Sequence, residues 1–226
     1  MESINKAVII NCGVGGWYGH GSRRLAKSLN FVGWAGETLI WADEYPPNSY
    51  NHIDYPYYMK VAAFEEAIKQ GYTHILWADS SMWAIQNPVK LFDIISDQGY
   101  WFFSSGYNLA QSANDTALAA VGLSRDEAET VNEWATGLWG VRIDNPNGLK
   151  LYTRWKELMD AGISKGSRLH DNQSSDPRFL FHRQDQTCMS LAAWELGLKN
   201  TIGLDMVAYR HTNYNPQELI FFIESL

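Results

Sequence analysis

Short, unbroken apolar runs, separated by segments of helical period, constrain this chain most. Ala7-Val8-Ile9-Ile10, Thr38-Leu39-Ile40-Trp41, His74-Ile75-Leu76-Trp77 and Tyr100-Trp101-Phe102-Phe103 are apolar nearly throughout, with no alternation. A strand buried on both faces reads this way, and such strands belong to parallel sheets covered by helices. Between and after them, apolar residues recur at helical spacing: Leu25 and Leu29; Val61, Phe64 and Ile68; Leu91, Ile94 and Ile95; Leu151, Trp155 and Leu158. The alternation predicts one α/β domain over residues 1–226, with a mostly parallel central sheet and helices on both faces.

Local signals fill in the rest. A glycine-rich loop over residues 12–21 precedes Ser22, which can cap the first helix. A helix over 58–70 should stop at Gly71, and Pro88 and Pro146 should open two more. Ser124-Arg125-Asp126-Glu127 is a capping box. Residues 104–115 read as polar and irregular, 138–141 and 207–209 as strands, 164–181 as a long polar loop. A helix over 187–196 closes at Gly197, and Phe221-Phe222 anchors the tail.

Charge and cysteine content exclude several classes. The net charge is −7 and no Lys/Arg run occurs, so an electrostatic grip on a long nucleic acid is disfavoured. No stretch is long enough to span a bilayer, and the start, Met1-Glu2-Ser3-Ile4-Asn5-Lys6, is no signal peptide. Cys12 and Cys188 show no framework; free thiols in a reducing compartment are expected, although one disulfide is compatible with the sequence. A cytoplasmic protein is the expectation. The 10 Trp, 12 Tyr and 9 Phe suit mostly a core, with some left as stacking platforms for sugars or bases.

In parallel sheets, sites gather at the carboxyl ends of strands. That rule picks out the glycine loop, Asp43, Asp79 and the residues before Asp185. The loop fails the dinucleotide fingerprint, because Gly13-x-Gly15 is followed at the third position by Tyr18, and it lacks the Gly-Lys-Ser/Thr of a P-loop. It is a plain strand-to-helix turn or a phosphate cradle. Trp77-Ala78-Asp79-Ser80-Ser81 places an acid at the end of an apolar strand, with hydroxyls beside it. Asp79 either holds a hard cation with a nearby hydroxyl or caps the following turn.

The stretch from Lys60 through Gly71-Tyr72-Thr73-His74 to Asp79-Ser80-Ser81 resembles the central segment of GT-A-type glycosyltransferases, the nucleotide-diphospho-sugar transferases. There a helix leads into a strand ending in Asp-x-Asp. Ala135-Thr136-Gly137-Leu138-Trp139-Gly140-Val141 is similar to the family's later strand, and His182-Arg183-Gln184-Asp185-Gln186-Thr187 to its Asp-Gln element. The form Asp-Ser-Ser is nearer a microbial and viral subgroup. The order of the three motifs carries the resemblance over about the first 200 residues.

The resemblance implies a single Rossmann-like GT-A domain and a nucleotide-sugar donor, UDP-sugar being expected. It implies donor contacts from Asn11, Gly13, Asp43, Trp77, Ala78, Asp79, Ser81, Gly137, His182 and Arg183, with Lys60, Arg24 or Arg183 as cations for the departing diphosphate. Asp185, Gln186 and Asp79 would be catalytic: Asp185 as general base if the reaction inverts, Asp185 or Gln186 as a positioning group if it retains. Asp79, Ser81 and His211 would hold Mn2+ or Mg2+. Ser81 stands where a second carboxylate is usual, so such an ion would be loosely held or absent. Bland alternatives are a helix cap for Asp185 and a surface position for His211. The loop 167–173 could close over the donor or be a simple excursion. The acceptor is open: glycan, protein, small molecule or modified nucleobase. The competing functions are a non-catalytic carbohydrate- or nucleotide-binding module and a nucleotidyltransferase. A nicotinamide dehydrogenase is more distant.

Overall fold

The first apolar run becomes β1 (Ala7–Gly13), buried along its whole length. A computed structural model of the chain describes residues 6–165 and 174–224. After β1 come α1 (Tyr18–Phe31), β2 (Glu37–Ala42), α2 (Tyr58–Lys69), β3 (His74–Ala78), β4 (Met82–Ala84), α3 (Val89–Gln98) and β5 (Tyr100–Asn108). Three short helices follow, α4 (Leu109–Ser112), α5 (Asp115–Ala120) and α6 (Arg125–Ala128). The chain continues through β6 (Asn132–Arg142), α7 (Pro146–Asp160), α8 (Asp185–Glu195), β7 (Val207–Tyr209) and β8 (Phe221–Ile223).

The central sheet has the order β2-β1-β3-β6-β5. β1 runs parallel to β2 and β3, whereas β6 is antiparallel to both β3 and β5. β5 therefore points the same way as β1, β2 and β3, and the sheet is mostly parallel. Alternate residues of β1 feed opposite cores. Val8, Ile10 and Cys12 pack with Val61 and Phe64 of α2, Trp155 of α7 and Met189 of α8. Ala7 and Ile9 pack with Leu25 of α1, Leu91 of α3 and Phe221 of β8. Helices thus cover both faces, as the buried runs require. Cys12 and Cys188 are free and buried. No helix among the described residues is long and apolar enough to cross a membrane.

Several local expectations change. α1 begins at Tyr18 rather than at Ser22, whose buried hydroxyl lies 3.0 Å from that of Ser80 and caps nothing. Residues 104–115 are not irregular: β5 runs on to Asn108, which forms a capping box with Gln111, and Asn114 caps α5. β6 starts six residues before the expected 138, because antiparallel pairing on both sides satisfies a backbone that Thr136 and Gly137 had masked. Phe221 and Phe222 are not a bare tail; β8 pairs with β4 and β7 in a second sheet. α8 opens at Asp185, not Thr187. The ordering-loop expectation for 167–173 lies outside the described residues.

Candidate active site

Parallel β1 and β3 bring their carboxyl ends to one edge of the sheet, with Gly13 ending β1 and Asp79 just past β3. Asp79 is fixed from three sides. Its backbone N–H donates to the Gly137 carbonyl at 2.7 Å, its carbonyl accepts from Met82 at 2.8 Å, and its Oδ1 accepts from Trp77 Nε1 at 2.6 Å. The backbone makes the turn, and the carboxylate is left for other work.

Behind Asp79 lies a buried ion cluster. α2 carries Lys60, whose Nζ stands 2.7 Å from Asp185 Oδ2, 2.9 Å from the Thr136 carbonyl and 3.3 Å from Asp79 Oδ1. Thr136 Oγ1 also donates to Asp185 Oδ2, at 2.6 Å. The side chains of Lys60 and Asp185 are 1% and 3% exposed, that of Asp79 34%. An ammonium has three protons, and the protein takes all three. The expected contact between Lys60 and a diphosphate is therefore not made in this arrangement, and Lys60 serves the carboxylates instead. Burial pushes the Lys60 ammonium down, but Asp185 and Asp79 outweigh it and hold its pKa above the ordinary lysine value. Burial raises the Asp79 carboxyl, against the pull of Lys60 and the Trp77 N–H. Two carboxylates share one ammonium, so the fully ionised cluster carries one negative charge in excess on the side of Asp79, where a cation would be welcome.

In front of Asp79 is a cleft of about 320 Å³. Gly13, Val14, Trp17, Tyr18, Tyr45, His52, Tyr57, Trp77, Asp79 and Ser81 are among its lining residues. Trp17 and Tyr18 stack at 4.5 Å, a ready platform for a base or sugar ring. Asn11 braces the floor, Nδ2 donating to the Ala78 carbonyl at 2.6 Å. Tyr45, His52 and Tyr57 had not been singled out in the sequence; the density of Tyr, Asn and His between Pro46 and Pro56 was the available signal. His52 Nδ1 accepts from the Tyr57 N–H at 3.3 Å, and burial lowers the imidazole pKa, which favours the neutral ring.

The remaining expected site residues fall into two groups. Gln186 adjoins the cluster, its Oε1 accepting from Thr136 N and from Arg183 Nη2, each at 3.4 Å. Four others stand apart from the cleft lining. Arg24 ties the Ser81 and Glu224 carbonyls together, at 3.1 and 2.7 Å, so its charge goes to backbone rather than phosphate. Asp43 pairs with exposed Arg23 at 2.7 Å. His182 is buried, with Asn114 N donating to Nδ1 and Nε2 donating to the Ile163 carbonyl; burial lowers its pKa to about 4. His211 is exposed beside Tyr209 in a separate groove with Arg210, Ile223 and Glu224.

The expected metal set of Asp79, Ser81 and His211 is thus not assembled. Among the described residues no group of three or more His, Cys, Asp or Glu side chains could hold an ion. One feature does suit a cation. A Cβ at Gly137 would stand 3.3 Å from Asp79 Oδ2, so the missing side chain leaves the space beside that oxygen open. One carboxylate plus substrate phosphates is an ordinary Mg2+ arrangement. The residues fit an ion brought in on a diphosphate, not one held by the protein alone.

No protein-family model matches the chain, and no curated protein sequence matches it. Among solved structures it is similar to a glycosyltransferase involved in the glycosylation of the major capsid of PBCV-1, with 12% identity, 96% of this chain and 93% of that one covered, and a TM-score of 0.49. It is also similar to the galactosyltransferase LgtC in complex with donor and acceptor sugar analogs, with 9% identity, 96% and 86% covered, and a TM-score of 0.49. For mouse xyloside xylosyltransferase 1 the identity is 12%, the coverage 91% and 88%, and the TM-score 0.48.

Proposed function

We propose that this chain transfers a glycosyl group from a nucleoside diphosphate sugar, a UDP-sugar in the first instance, to an acceptor hydroxyl. The observation that carries the reading is Asp79: a carboxylate at the end of β3, one oxygen held by Trp77 and Lys60, the other turned to an aromatic cleft beside the glycine end of β1. Those surroundings match the ordered motifs that resemble GT-A enzymes.

The nucleoside stacks on Trp17 and Tyr18, and the diphosphate lies against the backbone at Gly13 and Val14. Asp79 Oδ2, with the Ser81 hydroxyl, would hold a Mn2+ or Mg2+ that neutralises charge on the departing diphosphate. Lys60 keeps Asp79 and Asp185 apart in charge and fixed in place. Asp185, buried behind it, anchors Lys60 and does not reach the cleft surface as a base. Gln186, tethered to Thr136, is the polar side chain of that element left to position a sugar.

The burial of Asp185 also favours a second reading, a module that binds the same donor without turning it over. Calorimetric titration with a panel of nucleoside diphosphates and their sugars, with and without Mn2+, tests the shared step. Binding to the wild type but not to Asp79→Ala is expected; equal binding to both would remove Asp79 from the site.

A further inference from the structure

β1 and β3 run side by side and then part. Their parallel pairing extends from Ala7 opposite His74 to Ile10 opposite Trp77, whereas β1 stays paired with β2 as far as Gly13. The cleft opens in this fork, with Gly13 on one prong and Asp79 on the other. At the fork the apolar run of β1 is broken by Asn11, a side chain with no exposed surface, so the donor contact expected of it is not made in this arrangement. Asn11 Nδ2 instead donates across the fork, to the Ala78 carbonyl at 2.6 Å and to Ser80 Oγ at 3.4 Å. Ser80 Oγ in turn donates to the Cys12 carbonyl at 3.5 Å and lies 3.0 Å from Ser22 Oγ of α1. The residues on either side of Asp79 are thus tied back to β1 by side chains, where the strands no longer pair.

We infer that Asn11 is a positioning residue for Asp79, its amide standing in for the β1 backbone at the fork. A peptide unit is planar, so holding its carbonyl and its N–H fixes the whole unit. The unit that joins Ala78 to Asp79 is held at both ends. Asn11 takes its carbonyl from the β1 side, and the Gly137 carbonyl of β6 takes its N–H at 2.7 Å. The Asp79 side chain leaves from that plane, and its Oδ1 meets Trp77 Nε1 at 2.6 Å. A carbonyl only accepts, so an apolar side chain at position 11 would leave that of Ala78 without its donor from β1. Asparagine brings a liability of its own: Oδ1 is buried and, among the described residues, has no hydrogen-bond partner. A buried polar atom left unsatisfied lowers stability. Packing alone therefore gives no reason for asparagine here, and the Ala78 carbonyl does.

The effect on rate rests on the proposed glycosyl transfer; the placement of Asp79 does not. In 15N-asparagine-labelled wild type, the Asn11 side-chain amide should exchange with water on the order of 100-fold more slowly than exposed asparagine amides. Exchange at the exposed rate would overturn the assignment, and this arm needs no variant to fold. In Asn11→Leu, the indole N–H resonance of Trp77, assigned by its loss in Trp77→Phe, should move upfield as its bond to Asp79 lengthens. Ser22→Ala removes a hydroxyl from the same cluster but leaves the tie to Ala78, and should leave that resonance in place. An unmoved resonance in folded Asn11→Leu, or an equal shift in both variants, overturns the inference. Where the wild type releases nucleotide from a donor, Asn11→Leu should lower kcat/KM on the order of 10- to 100-fold, as a misplaced group does. Unchanged kcat/KM would contradict the positioning role. Absence of release from every donor would sink the transfer reading while leaving the Trp77 resonance to decide the role of Asn11.

Discussion

Lys60 Nζ and Asp185 Oδ2 stand 2.7 Å apart, and each belongs to a helix that starts from a strained residue. Tyr57, before α2, has φ 63°, and Gln184, before α8, has φ 50°. Non-glycine residues in the left-handed region cost on the order of 1–3 kcal/mol and persist where the surroundings over-determine them. Here the ion pair, closed by the Thr136 hydroxyl, ties the two helix starts together behind Asp79.

The pair should be expensive to break from one side. Lys60→Met leaves Asp185 buried with one donor in place of two, and should cost about 3–5 kcal/mol in urea unfolding. Lys60→Met combined with Asp185→Leu should recover much of that loss. A single-variant cost below about 1 kcal/mol, the value of an exposed pair, would contradict the buried cluster.

His182 predicts an acid-sensitive fold. Its pKa is about 4 in the folded chain against an ordinary 6.5, because burial disfavours the charged ring. The folded state therefore binds fewer protons than the unfolded state between those values. The stabilisation is complete above pH 6.5 and is lost as pH falls toward 4, by on the order of 3 kcal/mol. In His182→Gln, which keeps a donor and an acceptor, the fall in melting temperature over this window should be shallower. Identical slopes would show that His182 is not held neutral.

Gly13 should not tolerate a side chain. A Cβ there would meet Ser22 Oγ at 2.3 Å, Ser80 Oγ at 2.4 Å and the Tyr18 carbonyl at 2.5 Å. Overpacking of this kind costs about 1–3 kcal/mol, so Gly13→Ala should lower the unfolding midpoint. Gly13→Ala together with Ser80→Gly should regain part of it. Wild-type stability in Gly13→Ala would mean that the β1 turn is looser than these distances require.

Parts of this site could be read from one dimension. Asp79 follows an apolar strand, and such a strand has to release its first charge where the sheet opens, so its position was legible. Lys60 was legible as an important cation but not in its role, because the sequence does not show that Asp185 and Thr136 come to meet it. The same limit hid the first six residues of β6, where Thr136 and Gly137 interrupt an apolar run whose real support is antiparallel pairing with β3 and β5. Arg24 and His211 had the right chemistry for phosphate and metal, but the β8 segment claims Arg24 for backbone carbonyls and β7 leaves His211 exposed. The cleft wall at Tyr45, His52 and Tyr57 comes from a loop with no periodicity, so only composition pointed to it.

In the proposed glycosyl transfer, Asp79 handles the donor. That role is tested most directly by incubating wild type and Asp79→Asn with a panel of nucleotide-sugars, with and without Mn2+, and following release of free nucleotide. Release from one donor is expected, reduced by about 100-fold or more in Asp79→Asn, with the variant's melting temperature unchanged. Equal release by both proteins, or no release and no binding with any donor, would contradict that role.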